Sequence, residues 1–110
     1  MVEDTVKKIE EKIRNSGSIT GKKKAELLKL IASLQSEITN LAKAEGEHAE
    51  SIAGFVERLT HEATRQKRNP ELLRLSLAGL AASVKGFEAS HPRMVEDINF
   101  ISAVLANMGM

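Results

Sequence analysis

The fold follows first from the pattern of residues 70–84, which read Pro-Glu-Leu-Leu-Arg-Leu-Ser-Leu-Ala-Gly-Leu-Ala-Ala-Ser-Val. Their large apolar side chains recur three and four residues apart, which is the spacing of one helix face and not the two-residue alternation of a strand. Asn69 supplies a capping side chain and Pro70 suits the first helical position, so the start is well marked. The periodicity continues to Phe87 and predicts a helix over residues 70–90.

The same spacing recurs in four other segments, on either side of this stretch. The five apolar stripes are Val2, Val6, Ile9 and Ile13; Leu27, Ile31, Leu34, Ile38 and Leu41; Ile52, Phe55 and Leu59, with Val56 beside them; Leu73, Leu77, Leu80, Val84 and Phe87; and Ile98, Ile101, Leu105 and Met108. They predict helices over about residues 2–15, 21–44, 47–67, 70–90 and 92–108. The expected fold is all-α, an antiparallel helical bundle of four to five helices in a single domain, residues 1–110.

Glycine and proline mark the breaks between the stripes. Gly17 follows the first stripe, and we expect it to adopt the left-handed conformation that ends many helices. Pro92 ends one helix and is tolerated in the first turn of the next, so Ser90-His91-Pro92 is a second predicted helix start.

The chain near Gly46 allows two interpretations, because the second and third stripes are in phase. One unbroken helix over residues 21–67 would be ~69 Å long. A compact domain of this size, with an expected radius of gyration of ~13 Å, is only ~34 Å across. We therefore expect a break within residues 44–47; the unbroken helix would require a dimer to cover its apolar seam.

A row of small residues lies beside the large stripe of the predicted helix over residues 70–90: Gly79, Ala82, Ser83 and Gly86. Each glycine inside a helix costs about 1 kcal/mol relative to alanine. Close approach of another backbone would offset that cost, so we expect this helix to be central, with neighbours on two faces. The alternative is a solvated surface that merely tolerates glycine.

Composition excludes several classes of function. The chain has no cysteine, which rules out disulfides, thiolate metal sites and thiol catalysis. Its net charge is +1 and aromatic residues make up 3%, so neither a strong field nor base stacking favours nucleic acid as a partner. The charged first residues do not form a signal peptide and no apolar run is long enough to span a bilayer. We therefore expect a cytoplasmic protein without a membrane partner.

Two Glu-x-x-His pairs, Glu45 with His48 and Glu88 with His91, are the first candidates for chemistry. Ferritin-like di-iron bundles use two such pairs, together with glutamates from other helices. The fit is poor because one pair lies at an expected helix break and the other at a helix end. Surface side chains are the favoured interpretation.

Glu57 and His61 form the second candidate, since they are four residues apart on one helix face and could hold a proton or one side of a metal. A solvated ion pair is the favoured interpretation, because the second histidine of the His-Glu-x-x-His zinc motif is missing. The sequence thus assigns no catalytic residue, no cofactor and no metal ligand. Glu45, His48, Glu57 and His61 remain as candidates for a metal site.

Two basic clusters carry no assigned function. Arg65, Lys67 and Arg68 fall in the last turn of the predicted third helix, where the helix dipole favours cations. Lys22, Lys23 and Lys24 lie at a helix start, where the dipole disfavours them. Either that helix begins later, or acidic residues from another segment or subunit lie near; salt-sensitive contact with a polyanion is the remaining possibility.

The C-terminal segment carries a family resemblance. Phe87-Glu88-Ala89-Ser90-His91-Pro92, then Ile98 and Ile101, and the ending Leu105-Ala106-Asn107-Met108-Gly109-Met110 resemble a family of small bacterial helical proteins of unknown function. The resemblance covers residues 87–110 well and is fainter over residues 61–65 and over the predicted helix of residues 70–90. It implies a bacterial, cytosolic helical protein and implies no activity.

The spacing of the apolar residues also bears on function. Smaller stripes accompany the large ones, as in Ala49, Ala53 and Val56, so that more helix surface is apolar than one small bundle needs. We therefore expect a non-enzymatic, self-associating interaction or structural module with coiled-coil-like packing, either as a homodimer or with another protein. The alternative is a metal-dependent helical enzyme or metal-binding protein that uses the four candidate residues.

Overall fold

The computed structural model describes residues 2–109, and Met1 and Met110, the latter at the end of the family resemblance, lie outside that range. Five α-helices follow one another without a strand in residues 2–109, which confirms the predicted all-α bundle. The connections between them are three to seven residues long. The helices are α1 (Val2–Asn15), α2 (Gly21–Ala42), α3 (Gly46–Thr64), α4 (Pro70–Val84) and α5 (Pro92–Gly109).

Helix α3 is the centre of the bundle. It contacts all four other helices, which are arranged around it in the order α1, α2, α5, α4. In the part of the chain that the structure describes, α1 and α4 do not contact each other, so this ring is open on one side. The prediction that the helix of residues 70–90 is central is therefore wrong: α4 contacts only α3 and α5.

The five predicted stripes supply most of the core. Every member of the first two stripes is buried, and so are Ile52, Val56 and Leu59 of the third. Phe55 is the exception, since 38% of it is exposed. The sequence analysis missed four core residues outside the stripes: Ile19 in the first connection, Ala63 near the end of α3, and Met94 and Val95 in the first turn of α5.

The smaller stripe of α3 is buried within this one chain. Ala49 and Ala53 have almost no exposed surface, and the same is true of Ala63 near the end of the helix. Small side chains let neighbouring helices approach closely, as a helix with four neighbours requires. The expectation that Ala49, Ala53 and Val56 are spare apolar surface for another protein is therefore wrong.

The break between α2 and α3 confirms that the chain turns back near Gly46. Helix α2 ends at Ala42, and the amides of Ala44 and Glu45 close the turn by donating to the carbonyl of Leu41. Glu45, with φ −139° and ψ 69°, carries the change of direction, and Gly46 is already helical. An unbroken helix would be nearly twice as long as the 37 Å longest dimension of the protein.

The predicted helix over residues 70–90 is too long by six residues. Helix α4 ends at Val84, and residues 85–91 form a connection. Gly86 has φ 97°, a left-handed conformation that glycine adopts without strain, and its amide donates to the Glu88 carboxylate at 2.7 Å. Phe87 lies in phase with the apolar stripe but belongs to this connection, which is why periodicity alone extended the helix.

Other helix ends differ less from the prediction. Helix α3 ends at Thr64 and not near residue 67, so Arg65, Lys67 and Arg68 follow the helix. Gly17 does not have the positive φ that we expected of it, although α1 does end at Asn15. Both predicted starts are confirmed: Asn69 accepts a hydrogen bond from the Leu72 amide at 3.1 Å, and Pro92 is the first residue of α5.

The lysines at the start of α2 are compensated in part by the end of another helix. Thr20 caps α2, whose first turn contains no acidic residue. The Lys24 ammonium donates to the Arg14 carbonyl at 2.9 Å, and this carbonyl lies at the C-terminal, negative end of α1. Arg68 makes an equivalent bond to the Met108 carbonyl near the end of α5. Both side chains join the end of one helix to a separate segment.

Close packing at Gly79 comes from a side chain and not from another backbone. The Phe55 ring of α3 lies flat enough on α4 that a Cβ atom added at Gly79 would be 2.7 Å from Phe55 Cδ1 and closer still to Cε1. The glycine therefore makes room for an aromatic ring. A Cβ added at Gly54, in the middle of α3, would meet nothing within 4 Å.

These two glycines provide a matched pair of substitutions. We expect Gly54→Ala to raise the free energy of unfolding by about 1 kcal/mol, because alanine favours the helix and meets no neighbour. Gly79→Ala gains the same helix propensity but displaces Phe55, so its net effect is close to zero or destabilising. Urea unfolding of both variants measures the difference. Equal stabilisation by the two substitutions would show that Phe55 does not pack tightly on Gly79.

Candidate functional site

Helix α4 carries two of the four large apolar side chains that are exposed in residues 2–109. Leu75 is 60% exposed and Leu72 is 39% exposed, although each is followed in sequence by a buried residue. Ala78, Ala81 and Ala82 are exposed as well. Between Leu72 and Val84 the helix contains a single charged residue, Arg74. A helix that is apolar on every side is usually buried on every side, and α4 is not.

The exposed residues follow their own helical stripe. Leu72, Leu75, Gly79 and Ala82 are three, four and three residues apart, which is the spacing of a coiled-coil seam. At about 100° per residue this seam is roughly 125° around the helix from the core stripe of Leu73, Ser76, Leu80 and Val84. Helix α4 therefore has one face for its own bundle and a second face that is largely exposed in the described chain, with the Phe55 ring over Gly79.

Phe55 extends this second face onto α3. Its ring lies on Gly79, and a groove of about 340 Å³ runs between α3 and α4 beside it. We call the five residues Phe55, Leu72, Leu75, Gly79 and Ala82 the α4 face. The residues that line the groove are His48, Ser51, Phe55, Gly79, Ala82, Ser83, Lys85 and Phe87. The groove lies next to the open side of the ring around α3.

Charged side chains are confined to the two ends and the outer edge of the α4 face. Glu71 lies in the first turn of α4, and Lys85 follows its last residue. Both are exposed, and neither forms an ion pair with another residue of the range 2–109. The surface can thus bury apolar area between two opposite charges.

The buried polar centre of the molecule is Glu62, which the sequence analysis did not identify. Its side chain is 1% exposed and accepts hydrogen bonds from Arg65 at 2.8 Å and from Arg58 at 3.3 Å. Burial alone would raise the pKa of Glu62, but the hydrogen bond and charge of Arg65, aided by His61 and Arg58, hold it below 4.5. The three side chains belong to one stretch of α3 and its end, so their role is to satisfy a buried charge.

The two arginines are not equivalent, and substitution separates them. Arg65 makes the shorter bond and is half as exposed as Arg58, 31% against 62%. We expect Arg65→Met to lower the free energy of unfolding by about 2–3 kcal/mol, because a buried carboxylate loses its main partner. Arg58→Met should cost under about 1 kcal/mol, as for an exposed ion pair. Urea unfolding measures both; an equal cost would contradict the unequal roles.

The two Glu-x-x-His pairs do come close together, but an aromatic ring separates them. His48 and His91 each contact the Phe87 ring edge-on, with ring centroids 5.5 and 5.8 Å from it. Glu45 lies 3.9 Å from His48 on an exposed surface, while Glu88 binds the Gly86 amide and not a histidine. The arrangement stabilises the connection between α4 and α5 against the start of α3.

Glu57 and His61 lie at the other end of α3. The Lys12 ammonium lies 3.5 Å from His61 Nδ1 and can donate a hydrogen bond to it. Glu57, Arg58 and Gly54 line the same cleft between α1 and α3. The expected ion pair between Glu57 and His61 is not formed.

The four candidate metal ligands therefore belong to two separate places. His48 and His61 are 13 residues apart on one helix, which corresponds to ~20 Å. In residues 2–109 no three side chains of His, Asp or Glu are grouped so that they could hold a metal ion. The structure does not bring Glu45, His48, Glu57 and His61 together.

A pair of acidic residues, which the sequence analysis also missed, lies between α2 and α5. Glu37 and Asp97 face each other, and the Asp97 carboxylate accepts a hydrogen bond from Ser33 at 2.8 Å. Neither carboxyl oxygen of Glu37 reaches solvent or a donor in the described chain. Burial, followed by the hydrogen bond and negative charge of Asp97, raises the pKa of Glu37 to about 7, although the Arg93 charge opposes this. A proton on Glu37 gives the pair its missing donor.

This pKa predicts how stability changes with pH. Between pH 4.5 and about 7 the folded chain holds a proton on Glu37 that the unfolded chain has released. The free energy of unfolding therefore falls as pH rises through this window, by about 1–3 kcal/mol, and then levels off. Glu37→Gln should remove most of this decrease, and Glu96→Gln, at an exposed neighbour, should keep it. Urea unfolding at pH 5 and pH 8 tests this; an unchanged slope in Glu37→Gln would refute it.

The comparisons with known proteins add no assignment. No protein-family model, no curated protein and no solved structure matches this chain. None of the helices in residues 2–109 combines the length and the apolar character that crossing a bilayer demands. The assignment of the α4 face therefore depends on the exposure and spacing of its residues.

Proposed function

We propose that this protein is a non-enzymatic helical interaction module that associates with a second copy of itself through the α4 face. The exposure of a second apolar seam on α4 is the observation that supports the proposal. Burying apolar side chains such as Leu75 and Leu72 against another surface stabilises association by about 25 cal/mol per Å² removed from water. Continuous exposed apolar patches of this kind are typical of protein interaction sites.

The position of the face supports the same conclusion. The ring of helices around α3 is open between α1 and α4, and the α4 face borders that opening. A helix from another molecule placed there would contact α4 and the Phe55 ring together. Self-association needs no second gene product, and identical subunits with closed symmetry are the commonest soluble assemblies.

Phe100 on α5 is the other exposed aromatic residue, at 56%. It lines a groove together with Pro92, Val95 and Ala103 and with the polar residues Glu88, Glu96 and Asn99. Two carboxylates and an amide interrupt the apolar surface there, whereas α4 has a single charged residue between Leu72 and Val84. Phe100 therefore serves as the control at a surface of different charge.

No arrangement of residues favours the metal-dependent alternative, because the proposed ligands are divided between two ends of α3. The family resemblance of residues 87–110 is compatible with a module that has no activity of its own. It supplies the further proposal of a bacterial protein in the cytoplasm, which fractionation of the native cells would test.

Self-association is tested by a pair of lysine substitutions at equally exposed positions. Sedimentation equilibrium of the unaltered protein from about 1 μM to 1 mM should show reversible dimers. We expect Leu75→Lys to weaken the dimer by at least about tenfold, since it places a charge in the interface. Phe100→Lys should leave the dissociation constant unchanged. A strict monomer at 1 mM, or equal effects of the two substitutions, would refute the proposal.

A further inference from the structure

We infer that the α4 faces of two copies pair with their helices antiparallel, so that Glu71 of each copy meets Lys85 of the other. The inference rests on the proposed self-association and adds its geometry. It depends on how side-chain size and charge are distributed along the seam.

Side-chain size favours the antiparallel orientation. The large residues of the seam, Leu72 and Leu75, lie near the start of α4, and the small residues, Gly79 and Ala82, lie near its end. In an antiparallel pair each seam residue faces one from the opposite end of the partner helix. Leu72 then meets Ala82 of the second copy, and Leu75 meets Gly79 together with the Phe55 ring that lies on it.

The parallel orientation fills space poorly. It would place Leu72 against Leu72 and Ala82 against Ala82, so that the helices would be held apart at one end and leave a gap at the other. Gaps lose dispersion contacts and are costly in well-packed interfaces. In the antiparallel orientation Leu72 faces the small Ala82 at both ends of the seam, and Leu75 packs on the Phe55 ring that fills the space over Gly79.

Charge leads to the same orientation. Glu71 and Lys85 occupy the same flanking position of the seven-residue repeat, 14 residues apart and one at each end of α4. Antiparallel helices bring such positions together, end to opposite end, so two Glu71–Lys85 pairs form across the symmetry axis. Ala78 lies halfway between them at the equivalent position, and its small side chain faces Ala78 of the second copy. A parallel pair would instead gather like charges at each end.

The expected strength of this contact is modest. Helix α4 has 15 residues and is ~22 Å long, so a single helix pair buries less than the ~1,600 Å² of a standard interface. A dissociation constant on the order of 10–100 μM is therefore expected. Interactions of this strength respond measurably to two charge pairs.

Charge-reversed variants test the orientation directly. Glu71→Lys alone and Lys85→Glu alone each replace two attractive pairs by two repulsive ones, and each should raise the dissociation constant about tenfold. An equimolar mixture of the two variants restores opposite charges at both contacts. So does the double variant, Glu71→Lys with Lys85→Glu. Both samples should dimerise within about threefold of the unaltered protein.

Two controls separate pairing from unspecific effects of charge. Arg74→Glu makes the same change of charge as Lys85→Glu on the outer side of α4, and Glu26→Lys matches Glu71→Lys on α2, which does not contact α4. Neither control should change the dissociation constant more than about twofold. Circular dichroism confirms that each variant is folded. Both reversals oppose the α4 dipole, so restored dimers in the double variant cannot come from a more stable monomer.

The outcomes distinguish this inference from the function on which it rests. The antiparallel pair is confirmed if the single variants dimerise weakly and if both the mixture and the double variant dimerise about as tightly as the unaltered protein. If the unaltered protein dimerises but the single variants match their controls, or the mixture fails to restore association, the orientation is wrong and self-association stands. If the unaltered protein is monomeric at 1 mM, both the inference and the proposed function are refuted.

Discussion

Burial of the small side chains of α3 is the constraint on which the arrangement of the other helices depends. Ala49, Ala53 and Ala63 are fully covered because α3 has neighbours on several sides, and larger residues there would force those neighbours outward. The surrounding helices supply the bulk: the leucine and isoleucine stripes of α1, α2 and α5 fill the space around the alanines. The buried side of helix α3 is thus fitted closely to its neighbours, and its exposed side, which includes Gly54 and Phe55, borders the open side of the ring.

Periodicity was sufficient for the fold and insufficient for assigning each face. The stripes of α1 and α2 were identified residue by residue, because each of those helices has one apolar and one charged side. On α3 and α4 a second stripe was ambiguous, since a sequence does not state how many neighbours a helix has. The alanines of α3 looked spare and are buried, whereas the second stripe of α4 is exposed. The same limit extended α4 to residue 90, because Phe87 keeps the phase after Gly86 has turned the chain.

The polar contacts were predictable only where both partners are close in sequence. Glu62 could have been found, because Arg58 and Arg65 are four and three residues from it and lie on its side of the helix. Glu37 could not, because its partner Asp97 is 60 residues away and only the packing of α2 against α5 joins them. The Glu-x-x-His pairs suggested a metal site because of their local spacing. A metal site requires ligands that converge from several helices, and here His48 and His91 both contact the Phe87 ring instead.

The open side of the ring explains why the spare apolar surface lies on α4. Helices α1, α2 and α5 each contact two or more others, and their polar faces point outward. Helix α4 contacts two neighbours and nevertheless has apolar residues on the side that borders the gap towards α1. On the α1 side of that gap the surface is polar, with Lys12 and His61 hydrogen bonded to each other. The second copy that we propose would therefore contact apolar side chains on α4 and polar side chains on the α1 side of the gap, which limits how its helix can approach. Its own α4 presents the apolar seam for this contact, and Arg74, the one charged residue between Leu72 and Val84, lies about 120° around the helix from that seam.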